Sequence, residues 1–287
     1  MNKTIFHIAP HGPGLNVGNF AISYAIRSLL RETNNNINIL SLDAFSNKNL
    51  SGLNKQVVHE ANLYGSGIIV GGGNLYENNE LIVDLNAIKS LQVPLGLLSI
   101  SIGRIFDNNL KLARRTDVMP DKIIQSLNKA SSFSLSRDLA THSYLKSINV
   151  KKSQLGLCPT LFLNDYFDVN YRFNDLGKND TLLVIRNPEL MNIPVKYKFK
   201  VVEFIKTTYK NLKENKQNVK VVCNDMRDVI FVNSIGIPDY IYTGEVEEYL
   251  TRLKNASLVI SLRLHATLPC FSFGTKCINL SYDERSM

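Results

Sequence analysis

Short apolar segments alternate with amphipathic ones along this chain, and this alternation limits the fold more than any other feature. The predicted strands are 4–9, 37–42, 67–70, 94–100, 132–135, 181–185, 218–223, 240–242, 258–260 and 277–280. The predicted helices are 20–32, 80–91, 121–129, 139–148, 198–211, 225–234, 245–255 and 266–273. Strands that alternate with helices are typical of parallel sheets. The sequence therefore predicts an α/β protein with two Rossmann-like domains, 1–174 and 175–287, whose parallel sheets face a central cleft.

The length and composition fit two domains. The chain has 287 residues, of which 44% are hydrophobic, and this is enough apolar material for two cores of ordinary size. The aromatic, polar and glycine-containing segment 164–180 is the best candidate for the linker between them. The segment 46–55, which is rich in Asn and Lys, is predicted to be a surface loop.

The formal net charge of +8 favours an anionic partner. Lys and Arg are spread along the chain, Trp is absent and no aromatic RNA-binding motif is present, so nucleic acid is not the expected partner. Acidic small substrates or a workplace near a membrane surface fit the charge better. No apolar run approaches the roughly 20 residues that span a bilayer, and the N-terminus lacks the apolar core of a signal peptide. We therefore expect a cytoplasmic protein that can work at the inner face of the membrane, and the residue pattern indicates no oligomeric state.

The cysteines and carboxylates give no sign of a disulfide or a metal site. Cys158, Cys223, Cys270 and Cys277 are scattered without a CxxC pair, and three of them lie in or beside apolar runs. Buried free thiols are therefore expected. The acidic residues form no cluster with metal-ligand spacing, so no metal is expected.

Charged side chains follow two predicted strands of the second half. Arg263 and His265 come after strand 258–260 at the mouth of a helix, and Arg186 comes after strand 181–185. The carboxyl end of a parallel strand, beside a helix N-terminus, is a common anion site. A guanidinium binds phosphate or carboxylate through two parallel hydrogen bonds, and an imidazole can exchange a proton near neutral pH. An Arg and a His in this position can also simply cap a helix, so a structural role remains open.

Glycine-rich turns end two predicted strands of the first half. They are the loop 10–19 and the run Gly71–Gly73, where glycine lets a ligand or a neighbouring backbone come close. The loop has neither the Walker nor the dinucleotide-binding glycine spacing. Arg137 and Asp138 begin a helix, and either a ligand role or a pair at the helix N-terminus explains them.

These motifs, taken in order, resemble those of the polysaccharide pyruvyl transferase family. The matching segments are Asn16-Val17-Gly18-Asn19-Phe20-Ala21-Ile22, Gly71–Gly73, Ser101-Ile102-Gly103, Ser136-Arg137-Asp138 and, most specifically, Ser261-Leu262-Arg263-Leu264-His265-Ala266 followed by Ser281-Tyr282-Asp283. The resemblance implies a GT-B-like arrangement of the two Rossmann-like domains.

The resemblance also implies an activity. The expected enzyme moves the enolpyruvyl group of phosphoenolpyruvate onto a sugar of a cell-surface polysaccharide or its lipid-linked precursor, forming a pyruvate ketal and releasing phosphate. Arg263 and His265 are the expected catalytic residues, with His265 as the general acid, and no cofactor is needed beside the donor substrate. The residues expected to bind substrates are Arg186, Arg263, His265, Asn16, Gly18, Gly72, Gly73 and Arg137, with the acceptor against the N-terminal half.

Three features depart from the family pattern. Asn19 stands where an acid is usual, Cys158 stands where Asp is usual before Pro159, and the chain ends at Met287 where family members usually continue. We expect Cys158 to be a packing residue, and the second domain to be either minimal or shortened. Two alternatives stay open: a GT-B-like nucleotide-sugar glycosyltransferase, which would release a nucleoside diphosphate, and an inactive relative that binds sugar or phosphate.

Overall fold

The computed structural model describes residues 3–10, 16–34, 36–46 and 49–286. Residues 11–15 of the predicted glycine-rich loop, with Gly12 and Gly14, and residues 47 and 48 of the predicted surface loop lie outside the described residues. The contacts divide the described chain into two compact units. The first contains 3–10, 22–34, 36–46, 49–103 and 115–159, and the second contains 16–21, 104–114 and 160–286. The domain boundary at 174/175 stays a prediction.

The strands and helices follow one another in the predicted alternation. The strands are β1 (Lys3–Ala9), β2 (Ile37–Asp43), β3 (Gly67–Gly73), β4 (Leu95–Ile100), β5 (Ile105–Phe106), β6 (Leu112–Ala113), β7 (Phe133–Ser136), β8 (Ser153–Leu155), β9 (Thr181–Val184), β10 (Val219–Cys223), β11 (Tyr240–Tyr242), β12 (Leu258–Ser261) and β13 (Cys277–Asn279). The α-helices are α1 (Val17–Thr33), α2 (Lys55–Tyr64), α3 (Leu85–Lys89), α4 (Asp121–Ala130), α5 (Leu139–Ser147), α6 (Leu163–Tyr166), α7 (Val195–Glu214), α8 (Met226–Ser234), α9 (Val246–Asn255) and α10 (Leu264–Phe273).

The first unit is built on a parallel sheet with the strand order β2-β1-β3-β4-β7-β8. Every residue of β3 and β4 is buried, as is usual for central strands of a parallel sheet that is covered on both faces. The core of this unit packs strand residues such as Ile8, Ile68 and Leu97 against helix residues such as Val57 and Ile124. The order of the strands reverses between β1 and β3, so Gly71–Gly73 end beside a switch point.

The second unit is built on a parallel sheet with the strand order β11-β10-β9-β12-β13. Its core packs Leu183 and Val221 of the sheet against Ile205 of α7 and Val232 of α8. A small antiparallel ribbon, β5 with β6, also belongs to this unit. Here the strand order reverses between β9 and β12. The α/β class with parallel sheets is therefore confirmed, and the ten predicted strands match observed strands to within a few residues.

One predicted helix is too long. The segment 80–91 was predicted as a helix, but α3 begins only at Leu85. Asp84 has an extended backbone, and its Oδ1 accepts hydrogen bonds from the backbone N–H groups of Asn86 and Ala87, which starts the helix there. The residue before it, Val83, instead forms a parallel bridge with Leu53. Helix α2 and strand β8 were not predicted, and α2 begins at the end of the predicted surface loop.

Strand β4 contains a bulge at Ser99, where the register with β7 shifts. Ser99 has a φ of 56°, in the left-handed region, and its side chain is fully buried. Its Oγ has no hydrogen-bond partner among the described residues. A strained backbone conformation costs about 1–3 kcal/mol, and an unpaired buried hydroxyl costs a similar amount. The bulge directly precedes the turn at Ser101, so the strain lies at the carboxyl edge of the first sheet.

We predict that Ser99→Gly raises the free energy of unfolding by about 1 kcal/mol, because it removes both costs and adds only the chain entropy of glycine. Ser99→Ala, which removes the hydroxyl but keeps the Cβ atom, should give a smaller gain. Urea denaturation of the three proteins measures the order. An alanine variant as stable as the glycine variant would show that the backbone at Ser99 is not strained.

Candidate active site

Two of the predicted arginines meet at the switch point of the second sheet. β9 and β12 are hydrogen-bonded neighbours, with Val184 opposite Ser261, and the strand order reverses between them. In open α/β sheets, ligands bind outside the carboxyl ends of the strands at such a point. Arg186 follows β9 and Arg263 follows β12. The fold therefore places both guanidinium groups where the topology favours a ligand.

The Arg263 guanidinium is held from several sides. Its side chain is only 6% exposed, and its Nε donates to the carbonyl oxygen of Ile185 at 3.0 Å. One terminal nitrogen, Nη2, donates to Asp228 and lies 3.6 Å from a carboxylate oxygen of Asp225. Charge-assisted bonds of this kind fix the orientation of the planar group. Arg263 is therefore locked in the wall of the site.

Asp228, which the sequence analysis did not single out, ties three strand ends together. Its carboxylate is fully buried, and besides Arg263 it accepts from the backbone N–H groups of Asn187 at 2.8 Å and Asn224 at 3.2 Å. These residues follow β9 and β10, and Arg263 follows β12. In the sequence, Asp228 is simply an acid in the first turn of a helix, where the helix dipole already explains it. No local signal distinguishes the two roles.

Neighbouring charges shift the pKa of Arg263 upward. Burial on its own lowers the pKa of this guanidinium, but the nearby groups Asp228, Tyr282 and Asp225 more than offset that effect. Asp225 is itself buried and bonded to Arg227, whose Nη2 lies 2.9 Å away. Arg263 thus remains a cation inside the protein because two carboxylates accompany it.

Arg186 has the opposite shift. Burial lowers the pKa of its guanidinium, the adjacent Arg263 lowers it further, and Tyr282 and Asp228 only partly compensate. Its Nε and Nη2 both donate to the carbonyl oxygen of Leu190, at 3.0 and 2.9 Å. Among the described residues no carboxylate forms a salt bridge with Arg186. The edge of the sheet therefore holds a half-buried cation that repels its neighbour.

His265 lies in the first turn of α10, at a break in the helix. Its backbone angles, φ −81° and ψ 15°, are not helical. Its carbonyl oxygen accepts a hydrogen bond from the hydroxyl of Tyr249 at 3.2 Å. The Tyr249 hydroxyl in turn accepts from the side-chain amide of Asn224 at 3.3 Å. The residue that the sequence assigned as the general acid is therefore held through its backbone.

The first turn of α1 contacts the same place, within the second unit. The side chain of Asn16 caps the helix by accepting from the backbone N–H of Gly18 at 3.0 Å, and the N–H of Val17 donates to the carbonyl oxygen of Asn224 at 3.0 Å. A Cβ atom on Gly18 would lie 3.2 Å from the Cβ atom of His265 and 3.2 Å from the Asn224 amide. The predicted residues Asn16 and Gly18 are therefore neighbours of His265.

The remaining predicted residues belong to the first unit. Gly72 and Gly73 have φ values of 93° and 81°, and the space beside them is occupied by Ile22 and Pro10. Arg137 is buried, and its Nε donates to the carboxylate of Asp138 at 3.2 Å. The Asp138 carboxylate also caps α5. These contacts favour a structural explanation for Arg137, and substrate binding by all three residues stays a prediction.

The cysteines are free thiols, as predicted. Cys158, Cys223 and Cys270 are buried, and Cys277 is partly buried. Burial is the main cause that raises the pKa of Cys223 to about 12, so this thiol is inert at neutral pH although it lies near the site. Among the described helices, none is long and apolar enough to cross a membrane.

A comparison with protein-family models identifies a family for this chain. The model described as "Polysaccharide pyruvyl transferase" matches residues 16–284, nearly the whole chain. A search of curated proteins finds no match.

Several solved structures share the fold. The UDP-GlcNAc 2-epimerase of Methanocaldococcus jannaschii, in complex with UDP-GlcNAc and UDP, is 14% identical with a TM-score of 0.55, and the match covers 99% of this chain and 84% of that one. MnaA of S. aureus, in a co-structure with UDP, is 12% identical with a TM-score of 0.60 and coverages of 99% and 80%. The UDP-N-acetylglucosamine 2-epimerase of Rickettsia bellii is 10% identical with a TM-score of 0.56 and coverages of 99% and 81%. At these identities the likeness shows the fold alone, and it confirms the prediction of a GT-B-like α/β fold.

We predict that Asp228→Asn lowers the free energy of unfolding by about 3–5 kcal/mol, because it leaves the buried Arg263 without its main counter-charge. Glu189→Gln is the matched control. It removes a carboxylate from a surface pair, in which Lys198 Nζ lies 2.7 Å from Glu189, and it should cost less than about 1 kcal/mol. Urea denaturation of both variants measures the difference. Equal losses would show that the Arg263–Asp228 pair does not hold the site together.

Proposed function

Because this chain belongs to the polysaccharide pyruvyl transferase family, we propose that it transfers the enolpyruvyl group of phosphoenolpyruvate to a saccharide and forms a pyruvate ketal. The family supports a transferase that acts on polysaccharides. The donor, the ketal product and the kind of acceptor are our proposal for this chain.

One observation carries the proposal: Arg186 and Arg263 occupy adjacent strand ends at a switch point, and Arg186 has no carboxylate partner among the described residues. Phosphoenolpyruvate is small and carries both a phosphate and a carboxylate. Planar guanidinium groups are the best physical match for both. A bound dianion would also relieve the repulsion between the two arginines. The charge pattern of the site thus fits the proposed donor.

The proposed reaction balances without a further reactant. One proton is added to the methylene carbon of phosphoenolpyruvate, which becomes a methyl group, and the electrophilic C2 atom then bonds to a first sugar oxygen. The bond from C2 to the phosphate oxygen breaks, and a second sugar oxygen replaces the phosphate. The two hydroxyl groups supply two protons, of which one balances the new methyl group and one leaves with hydrogen phosphate. This scheme needs no metal and no cofactor.

In this scheme His265 is the general acid that protonates the methylene carbon. It lies two residues after Arg263, beside the first turn of α1, so a donor bound at the arginines would have the imidazole nearby. Arg186 and Arg263 would stabilise the charge that develops on the departing phosphate. Preorganised cations suit this role because they need not reorganise during the reaction.

The proposed acceptor is a sugar of a cell-surface polysaccharide or of its lipid-linked precursor. The family description supports a saccharide acceptor. A lipid-linked precursor would bring the enzyme to the membrane surface, which agrees with the net charge of +8. Its acceptor sugar would bind near Asn16 and Gly18, close to His265.

The donor assay tests the proposed function directly. Purified protein is incubated with phosphoenolpyruvate and a panel of nitrophenyl and lipid-linked sugars, and the release of phosphate is measured. A parallel reaction with nucleotide sugars measures the release of nucleoside diphosphate. We expect phosphate release that depends on a sugar and no release of nucleoside diphosphate. Release of nucleoside diphosphate alone would establish a glycosyltransferase, and binding of phosphoenolpyruvate without turnover on any sugar would establish an inactive relative.

Substitutions separate binding from catalysis. His265→Gln should lower kcat by about 10²- to 10⁴-fold, the usual contribution of a general acid, while calorimetry shows nearly unchanged binding of phosphoenolpyruvate. Arg186→Lys should instead weaken this binding at least about tenfold, since lysine cannot bind an anion through two parallel bonds. Arg172→Gln, which changes an exposed arginine of the same unit, is the control and should change neither value. Nearly normal turnover by His265→Gln would rule out His265 as the acid.

A further inference from the structure

The break in helix α10 has a local cause in the sequence. Pro269 lies four residues after His265, inside the helix. Because proline has no N–H group, the carbonyl oxygen of His265 cannot receive its usual helical hydrogen bond. The Tyr249 hydroxyl donates to this oxygen instead, at 3.2 Å. A residue of another helix, α9, therefore supplies the hydrogen bond that the backbone carbonyl of the proposed general acid lacks.

Tyr249 is in turn fixed by the groups that hold Arg263. Its side chain is 1% exposed, and its hydroxyl accepts from the amide of Asn224. The backbone N–H of Asn224 donates to Asp228, which also binds Arg263. An unbroken series of hydrogen bonds thus runs from Arg263 to the His265 backbone.

Asn224 is an unusual choice for a purely structural place. It is 1% exposed, and its Oδ1 has no hydrogen-bond partner among the described residues. A buried amide that is only partly satisfied destabilises a fold, and such exceptions are expected at functional sites. The one side-chain contact that the amide does make, from its Nδ2 to the Tyr249 hydroxyl, therefore points to a role for Asn224 in holding Tyr249.

From these contacts we propose that Tyr249 and Asn224 are positioning residues, which set the His265 imidazole relative to Arg263 through the His265 carbonyl. The proposal rests on the proposed function and adds to it two residues that the family motifs do not contain. Neither residue needs to touch the donor.

Tyr249→Phe tests the proposal, because phenylalanine fills the same volume and removes only the hydroxyl. We expect kcat for phosphoenolpyruvate to fall about tenfold, the value of one hydrogen bond, with KM changed less than twofold and the basic limb of the pH–rate profile, which a general acid sets, displaced. Tyr76→Phe is the control, since Tyr76 is also 1% exposed and its hydroxyl accepts from Asn128 at 3.0 Å in the first unit. Both variants should lose similar stability, but only Tyr249→Phe should lose turnover. Equal kinetic effects would overturn the proposal.

A second measurement does not depend on turnover. In protein labelled with ¹⁵N-histidine, the His265 resonances are assigned from their absence in His265→Gln. We expect Tyr249→Phe to shift these resonances and their titration, and Tyr76→Phe to leave them in place. If the wild-type protein does not turn over phosphoenolpyruvate but these shifts occur, the proposed function fails and the positioning role stands. Unshifted His265 resonances in Tyr249→Phe overturn the positioning role.

Helix α7 carries an independent observation, on the surface of the second unit. Its first two turns contain Lys196, Lys198 and Lys200, no acidic residue lies in the first turn, and Pro194 provides no side-chain cap. Positive charge at a helix N-terminus opposes the helix dipole, and the local contacts that offset this are weak: Lys196 and Lys200 lie over the Tyr197 ring, 5.1 and 5.7 Å from its centroid. Lys198 is paired with Glu189, whereas Lys196 and Lys200 are exposed.

Two exposed apolar side chains lie beside these lysines. Val195 and Phe199 are 78% and 67% exposed, and their spacing of four residues places them on one face of the helix. Lys206 and Lys210 follow on the same face and are also exposed. Single exposed apolar residues are ordinary, but apolar side chains framed by lysines are typical of helices that bind at a membrane surface.

We infer that the N-terminal half of α7 binds an anionic lipid surface, with Val195 and Phe199 inserted among headgroups and Lys196 and Lys200 paired with their charges. Charge complementarity favours an anionic lipid surface as the partner, since the two exposed lysines of this half, Lys196 and Lys200, outnumber its one carboxylate, Glu203. This inference does not rest on the proposed reaction.

Co-sedimentation of the whole chain with vesicles tests the surface. We expect binding to vesicles that contain phosphatidylglycerol, weaker binding to phosphatidylcholine alone, and release by salt. Lys196→Glu/Lys200→Glu should reduce binding by roughly fivefold or more per site, and Phe199→Ser should reduce it several-fold. The controls are Lys55→Glu/Lys89→Glu, which makes the same charge change in the first unit, and Ile230→Ser, which alters an apolar residue that is 64% exposed on α8. No binding to anionic vesicles, as expected if an acidic protein is the partner, or equal losses in the controls, would overturn the inference.

Discussion

The second unit depends on the ion pair between Arg263 and Asp228. A buried guanidinium costs several kcal/mol in lost hydration unless a partner of opposite charge accompanies it, and the same holds for the carboxylate. Each group is therefore stable in the interior only because the other is there. Since Asp228 also accepts from Asn187 and Asn224, the pair fixes three strand ends at the switch point. Arg186 follows one of these strand ends, and Asn224, at another, holds Tyr249 and through it the His265 carbonyl.

The charges at this edge do not cancel. The guanidinium groups of Arg186, Arg227 and Arg263 accompany the carboxylates of Asp225 and Asp228, so three positive charges lie near two negative ones, with the Arg227 side chain 53% exposed to solvent. Burial is the first cause of the lowered pKa of Arg186, and the repulsion by Arg263 adds to it. Arg186 is half-buried and forms no salt bridge with a carboxylate among the described residues, so its charge is available to an anion. The proposed donor, with its phosphate and carboxylate, has the matching charge.

The sequence predicted the strands well because parallel strands are buried on both faces and read as short apolar runs. It predicted the residues at the strand ends for the same reason, since Arg186 and Arg263 directly follow such runs. It could not predict the contacts that Asp228 makes with Arg263 or Tyr249 with His265, because both residues lie on the inner faces of ordinary amphipathic helices. Nor could it place the first turn of α1 with the second unit, because that depends on the bond from Val17 to Asn224, made over a long sequence separation. Local patterns record local structure, and these contacts are tertiary.

The segment from Arg263 to Pro269 has structural requirements that its sequence motif does not reveal. The sequence indicated an anion-binding Arg and a proton-exchanging His at the mouth of a helix. In the folded chain most of the Arg263 contacts are internal, so its guanidinium builds the wall of the site as much as it faces a ligand. Pro269 removes a hydrogen bond from the His265 carbonyl, and this opening lets Tyr249 reach the backbone of His265. The motif thus combines a charge that must be paired in the core with a helix that must be broken at its first turn. The charge is paired by Asp228 of α8, whereas the break has a local cause, Pro269, and Tyr249 of α9 supplies the lost hydrogen bond.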